Sequence, residues 1–330
     1  MGWAPRIFLH FWTGRNRLVF AGLMAISLLF QTSCSEKQNT KGKQHTLTVA
    51  VSIAPLFTFA EQLAPENARV SMLIPPGVSP HGYEPNPGQI STLAEADIVL
   101  LNGLGIDDVF RGPLQRIGNE DRHVLVFADI CGLADNDKDK TDDHAGNAEQ
   151  SEPAEHHHHD LQTDPHLWLD PGLVLKLIDP LREVFLQVAE NDDQRLAIKA
   201  AAEKTRNRVL EIDRQYRERL APFSGYAFIA EHPAWNRIAR RYGLKAAGFL
   251  RLIPRVEPTP KVVDELVRQI KKENVRVIVV EPQFPSATAD RLAELTGIRV
   301  VRLDPLGEGD WFAMMQANLD SIVEGFRSEH

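Results

Sequence analysis

From Asp192 to Ala221, thirty residues pass without a glycine or a proline. At 1.5 Å per residue, one helix over this stretch would be about 45 Å long, enough to run down the side of a whole molecule. Whatever precedes and follows it must be organised around that rod. On both sides the sequence alternates short apolar runs with helical patterns, the signature of parallel sheets covered on both faces. Before it come the strand-like runs LTVAVSI, RVSMLI, DIVLLNG and HVLVFAD, and after it YAFIAE, AAGFLR, VRVIVVE and IRVVRLD. A helix should begin at NPGQISTLAEA, with Asn86 as N-cap and Pro87 at the first helical position. The expected fold class is therefore α/β: two lobes with parallel sheets joined by one long helix. The expected boundaries are an N-terminal lobe at 46–189, a linking helix at 190–221 and a C-terminal lobe at 222–330. The two halves share a rhythm but no visible sequence repeat.

The first 34 residues read as a targeting signal. Arg6, Arg15 and Arg17 precede the apolar run Leu18 to Phe30, which is short for a bilayer span but suits a signal peptide. Cys34 follows directly, as in a bacterial lipoprotein signal, although Gln31 stands where such signals usually carry leucine. The expectation is an exported protein lipidated at Cys34 and held by a flexible tether at 35–45. The alternative is ordinary cleavage nearby and a free soluble product.

Charge is unevenly spread. Asp135 to Asp164 holds ten acidic residues, two lysines and five histidines, so this one segment carries an acidic excess equal to the net charge of −8. With no basic cluster elsewhere, nucleic-acid binding is not expected. The segment has few apolar residues and reads as a disordered loop. Its histidines are His144 and the run His156, His157, His158 and His159. An internal run is not where a purification tag sits. The choice is between an accessory metal loop and an inert solvated linker.

After Cys34 the sequence holds a single cysteine, Cys131, so neither a disulfide framework nor a Cys-x-x-Cys metal site is available. Ligands in open α/β sheets bind beyond the carboxyl ends of strands. Several imidazoles and carboxylates follow the strand-like runs: His81 in PHGYEPNP, His232 in EHPAW, Glu281 in VVEPQF and Asp304 in LDPLG, with His166 in DPHLWLDP. A cleft between two lobes would gather them, and three imidazoles with one carboxylate satisfy a tetrahedral zinc site. Glu281 is as well placed as Asp304, though a structural carboxylate is its simpler reading. Glu84 and Asp170 read as groups that hold loop backbone or orient a ligand, and Trp168 and Trp235 as core. Several enzyme signatures are absent: His-Glu-x-x-His, the phosphate-binding Gly-x-x-x-x-Gly-Lys-Ser/Thr loop and Gly-x-Ser-x-Gly. GLGIDD starts like a dinucleotide fingerprint but has Asp108 where the third glycine belongs.

The ordered series PHGYEPNP, DPHLWLDP, EHPAW, EPTP, VVEPQF and LDPLG, across His81 to Gly307, resembles the metal-binding solute-binding proteins of bacterial zinc and manganese ABC importers. The resemblance implies two Rossmann-like lobes, a rigid linking helix and a metal site in the inter-lobe cleft. It implies His81, His166 and His232 as ligands, with Asp304 as the fourth when one is used. Manganese members typically carry glutamate at the third position. His232 there points to Zn²⁺ as the bound ion, with Mn²⁺ or iron the runner-up, since imidazole suits zinc and oxygen ligands suit manganese. Zinc-type members often have a His- and acid-rich insertion ahead of the second ligand, which is how 135–164 then reads. The implied protein is an extracytoplasmic monomer, not an enzyme, that delivers Zn²⁺ to a membrane permease served by a cytoplasmic ATPase. The alternative from another class is a zinc hydrolase with Glu281 as general base.

Overall fold

The computed structural model describes residues 46–133, 163–252 and 256–327. The signal segment with Cys34, the tether at 35–45 and the loop histidines His144, His156, His157, His158 and His159 lie outside the described residues.

All eight strand expectations are met. The strands are β1 (Thr48–Val51), β2 (Arg69–Met72), β3 (Ile98–Leu101), β4 (His123–Val126), β5 (Ala227–Ala230), β6 (Lys245–Phe249), β7 (Val275–Val280) and β8 (Arg299–Arg302). They form two four-stranded sheets in the orders β2-β1-β3-β4 and β6-β5-β7-β8, with every pairing parallel. The two lobes thus repeat one topology. Strands covered on both faces have no polar side to show, and IVLL of β3 and AFIA of β5 are buried at every position.

The helices are α1 (Ala54–Leu63), α2 (Pro87–Glu95), α3 (Arg111–Ile117), the single turn α4 (Phe127–Ile130), α5 (Pro171–Val188), α6 (Asp192–Leu220), α7 (Asn236–Tyr242), α8 (Pro260–Glu273), α9 (Ala287–Thr296) and α10 (Trp311–Arg327). Asn86 caps α2 as expected, accepting from the Gln89 backbone at 3.1 Å while the Gln89 side chain accepts from the Asn86 backbone at 2.7 Å.

Helix α6 is the glycine- and proline-free rod. Asn191 caps it through Gln194 N at 2.9 Å. Asp192 and Asp193 lie in its first turn and Arg217 and Arg219 in its last, signs that complement the helix dipole. Ile198, Ala202, Thr205, Val209, Ile212, Tyr216 and Leu220 recur every three or four residues as its buried seam. That seam packs on α1 and α5 of the first lobe and on α10 of the second.

In the second sheet the faces alternate. Phe228, Ala230, Val277, Val279 and Val301 join the main core, whereas Ile229, Ile278 and Val280 face a separate cluster with Leu266, Ile270 and Leu292 of α8 and α9. The chain then returns to the first lobe. The Thr58 hydroxyl donates to the Gly309 carbonyl at 2.7 Å and accepts from Trp311 N at 2.8 Å. The Trp311 indole N–H donates to the Trp168 carbonyl at 2.8 Å. The lobes are therefore joined by α6, by these bonds and by the residues of the cleft. Among the described residues no helix is long and apolar enough to cross a membrane.

Candidate metal centre

Each polar position singled out beyond a strand lies at that strand's carboxyl end. His81 sits on the long turn after β2, His232 two residues after β5, Glu281 directly after β7 and Asp304 two residues after β8. His166 opens a short helical turn, Leu167–Leu169, ahead of α5. The two lobes bring His81, His166 and His232 together, one ring nitrogen from each lying within 4.8 Å of the others. His166 Nε2 stands 3.3 Å from His81 Nε2 and 3.2 Å from His232 Nε2. For Zn–N bonds of about 2.0–2.1 Å, a regular tetrahedron has N···N edges of about 3.3–3.4 Å. The two edges at His166 therefore already match those of one tetrahedral coordination sphere, and the third lies within 4.8 Å. His166 and His232 are each 4% exposed, and His81 is half-buried.

The far nitrogens explain the orientation. His166 Nδ1 lies 2.8 Å from Asp164 Oδ1, which also accepts from His166 N at 3.0 Å. His232 Nδ1 lies 2.8 Å from Glu281 Oε1, which also accepts from the Trp235 indole at 3.0 Å. A carboxylate on Nδ1 places the ring proton there, leaving the Nε2 lone pair free. In that tautomer the two Nε2 atoms face each other as acceptors with no proton between them. This arrangement is favourable once a cation lies among them.

Burial disfavours the charged form of His81 and His166. Burial, followed by the neighbouring His166 and His232, lowers the His81 pKa to about 3. Burial also lowers that of His166, against the raising influence of Asp164. For Asp164, burial alone would raise the pKa. The hydrogen bond from His166 and the charges of His166 and Arg237 outweigh it, holding the carboxyl below the usual range.

Asp304 is not part of the three-imidazole group. Its Oδ1 accepts from Gln283 Nε2 at 2.9 Å and from Leu306 N at 3.0 Å, and its backbone is held by Asn318. Glu281, the general base of the hydrolase alternative, is engaged by His232 and Trp235 instead. Asp170 caps α5 through Gly172 N at 2.8 Å and pairs with Arg241 at 3.1 Å, while Glu84 is exposed. Trp168 and Trp235 are fully buried, but Trp235 also serves the site through Glu281. Burial pushes the Cys131 thiol up to about 11, which leaves it a poor metal ligand.

Sequence reasoning missed two residues. Asp164 was expected to end the disordered loop, yet it is ordered, buried and bonded to His166. Its only signal was its position two residues before the histidine of DPH. Arg237 is a buried arginine against Asp164, and nothing local marks it.

The family described as zinc-uptake complex component A, periplasmic (ZnuA), matches residues 49–325. The chain belongs to this family. Its members are components of an uptake complex rather than enzymes. The zinc-binding lipoprotein AdcA of Streptococcus pneumoniae is 26% identical over 313 residues, covering 92% of this chain. The chain spans 60% of the length of that relative. The high-affinity zinc uptake system protein ZnuA of Bacillus subtilis is 27% identical over 321 residues, covering 92% of this chain and 97% of its own. A crystal structure of ZnuA superposes with a TM-score of 0.68 at 25% identity, covering 85% of this chain and 99% of that one. The periplasmic zinc-binding protein TroA of Treponema pallidum shares the fold, with a TM-score of 0.70 at 18% identity over 86% of this chain and all of that one.

Proposed function

We propose that this chain captures Zn²⁺ outside the cytoplasm and delivers it to the permease of an ABC importer, with a cytoplasmic ATPase driving transport. The observation that carries the reading is the group of three imidazoles, two of them oriented by buried carboxylates, with His166 Nε2 at tetrahedral edge lengths from the other two. His81, His166 and His232 are the ligands. The fourth position falls to Asp304 or to a water. Because Gln283 and Leu306 occupy Oδ1 of Asp304, Oδ2 is its oxygen for a cation. The zinc-uptake names of the family and of the AdcA and ZnuA relatives support zinc over manganese. So does the three-imidazole donor set.

The histidines of 135–164 supply weaker accessory sites, and Cys34 carries a lipid anchor, as the lipoprotein name of the AdcA relative also suggests. The chain works as a monomer with lobes at 46–189 and 222–330.

Zinc titration of the chelator-treated protein tests this reading. One tight site is expected in the wild type and in a deletion of 135–160. The tight site should be weakened at least about a hundredfold in His81→Ala, His166→Ala and His232→Ala, since each removes a ligand. Loss of the tight site in the deletion would make the loop a primary ligand source. Asp304→Asn decides the fourth position: a weakened tight site assigns it to Asp304, an unchanged one to water.

A further inference from the structure

Helix α7 begins four residues after His232 and carries Arg237 and Arg241 one turn apart on one face. Both reach across to the segment that carries His166. Arg237 is 4% exposed. Its Nη2 donates to the Asp164 carbonyl, and its Nε stands 3.7 Å from Asp164 Oδ2. Asp164 in turn holds His166 through both N and Nδ1. Four residues beyond His166, Arg241 Nη1 lies 3.1 Å from Asp170 Oδ1, while its Nε donates to Asp213 of α6 at 2.8 Å. A Cβ on Gly172 would meet Arg241 Nη1 at 2.4 Å, so the guanidinium fills the space that this glycine leaves. The His166 segment is thus bracketed by two arginines from the other lobe.

We propose that Arg237 is a positioning residue for metal capture: it fixes the Asp164 carboxylate, and so the His166 ring, against the helix that follows His232. The inference rests on the reading of the three histidines as metal ligands. A buried ion pair adds little net stability compared with apolar side chains of similar volume, because desolvating both charges offsets their attraction. What this pair supplies is one orientation. Asp164 can turn its carboxylate toward Arg237 with one oxygen only while the other accepts from Nδ1. Two ligands on different lobes then stand at 3.2 Å before any metal arrives. Preorganisation of this kind removes an ordering cost from binding. The guanidinium suits the task because it bonds the Asp164 carbonyl through Nη2 while Nε faces the carboxylate at 3.7 Å as an ion pair rather than a hydrogen bond, a two-point geometry that a single ammonium does not offer.

The test is zinc affinity of the purified chain, read by competition with a chromophoric chelator, together with the visible spectrum of the Co²⁺-loaded protein. Arg237→Met should weaken zinc binding by up to about tenfold, below the ten- to a hundredfold for losing a direct partner of a ligating histidine because Arg237 acts one contact further out, and Arg237→Lys should fall between it and wild type. In an Asp164→Asn background, Arg237→Met should cost a smaller factor than in the wild type, because the carboxylate part of its contact is gone while the bond to the Asp164 carbonyl remains. Equal factors in both backgrounds would mean that Arg237 does not act through the carboxylate, and either that result or wild-type affinity in Arg237→Met would overturn the proposal. If Arg237→Met does not fold, Arg237→Lys decides, since it keeps the charge and loses the fork. Weaker zinc binding with a shifted cobalt spectrum supports the proposal, and wild-type values for both overturn it. His166→Ala separates the two levels. Unchanged affinity there would sink the metal-site reading itself, whereas a weakened His166→Ala beside an unaffected Arg237→Met would sink only the role of Arg237.

Discussion

Lowering the pH from 7.5 to 5.5 should weaken zinc binding far less than three histidines in water would. Protons compete with the metal for imidazole. For three imidazoles with pKa near 6.5, each is about nine-tenths protonated at pH 5.5, and together they would cost about a thousandfold in affinity between the two pH values. Here the His81 pKa is lowered to about 3, first by burial and then by its neighbours, and that of His166 is lowered by burial. His81 therefore has no proton to shed at pH 5.5, and His166 has less to shed than a free imidazole. With His81 ready in advance, at least one of the three tenfold factors drops out, which leaves a loss of at most about a hundredfold, or about 2.7 kcal/mol. The assay is chelator competition at constant ionic strength, corrected for the chelator's own protonation. A drop approaching a thousandfold would falsify the argument, because the rings would then be titrating as they do in water.

Three further outcomes follow from particular contacts. Glu281→Gln should lower zinc affinity by about ten- to a hundredfold while the protein stays folded. The amide keeps one acceptor for His232 and Trp235 but loses the charge, and chelator competition with circular dichroism separates the two effects. Gly325→Ala places a Cβ 2.5 Å from Val301 Cγ2 and 3.2 Å from Val277 Cγ1, pressing α10 off the second sheet. Overpacking of this kind costs about 1–3 kcal/mol, so thermal melts should show a lower Tm. Zinc should stabilise the wild type by mass action, by about 2.7 kcal/mol at a hundredfold excess over Kd, and so raise its Tm, and should do so much less in His166→Ala. Equal zinc-induced shifts in both proteins would remove His166 from the ligand set.

Much of the architecture is legible in the sequence because its causes are local. The eight strands are short apolar runs closed by turn residues, and parallel strands buried on both faces have little else to be. Asn86, Pro87 and Gln89 write the start of α2 within four residues. The thirty residues after Asn191 contain nothing that would stop a helix. Placement of His81, His232, Glu281 and Asp304 just beyond strands follows from the same reading, since strand ends are where such folds bind ligands.

Which of these residues meet was decided only by tertiary structure. Arg237 and Asp164 are 73 positions apart, and His232 and Glu281 are 49 apart. No periodicity relates such pairs. Asp164 looked like the last residue of a charged loop, and only the hydrogen bonds from His166 and the buried guanidinium opposite make a carboxylate tenable there. Glu281 and Asp304 are alike in sequence, each an acid at a strand end followed by proline. Glu281 turns to His232 and Trp235, while Oδ1 of Asp304 is taken by Gln283 and Leu306. The depressed basicity of His81 is collective as well, arising from burial and from two other rings that the chain supplies from 85 and 151 residues away. Local propensity acts over a few residues, whereas desolvation and charge depend on what the folded chain brings within a few ångströms.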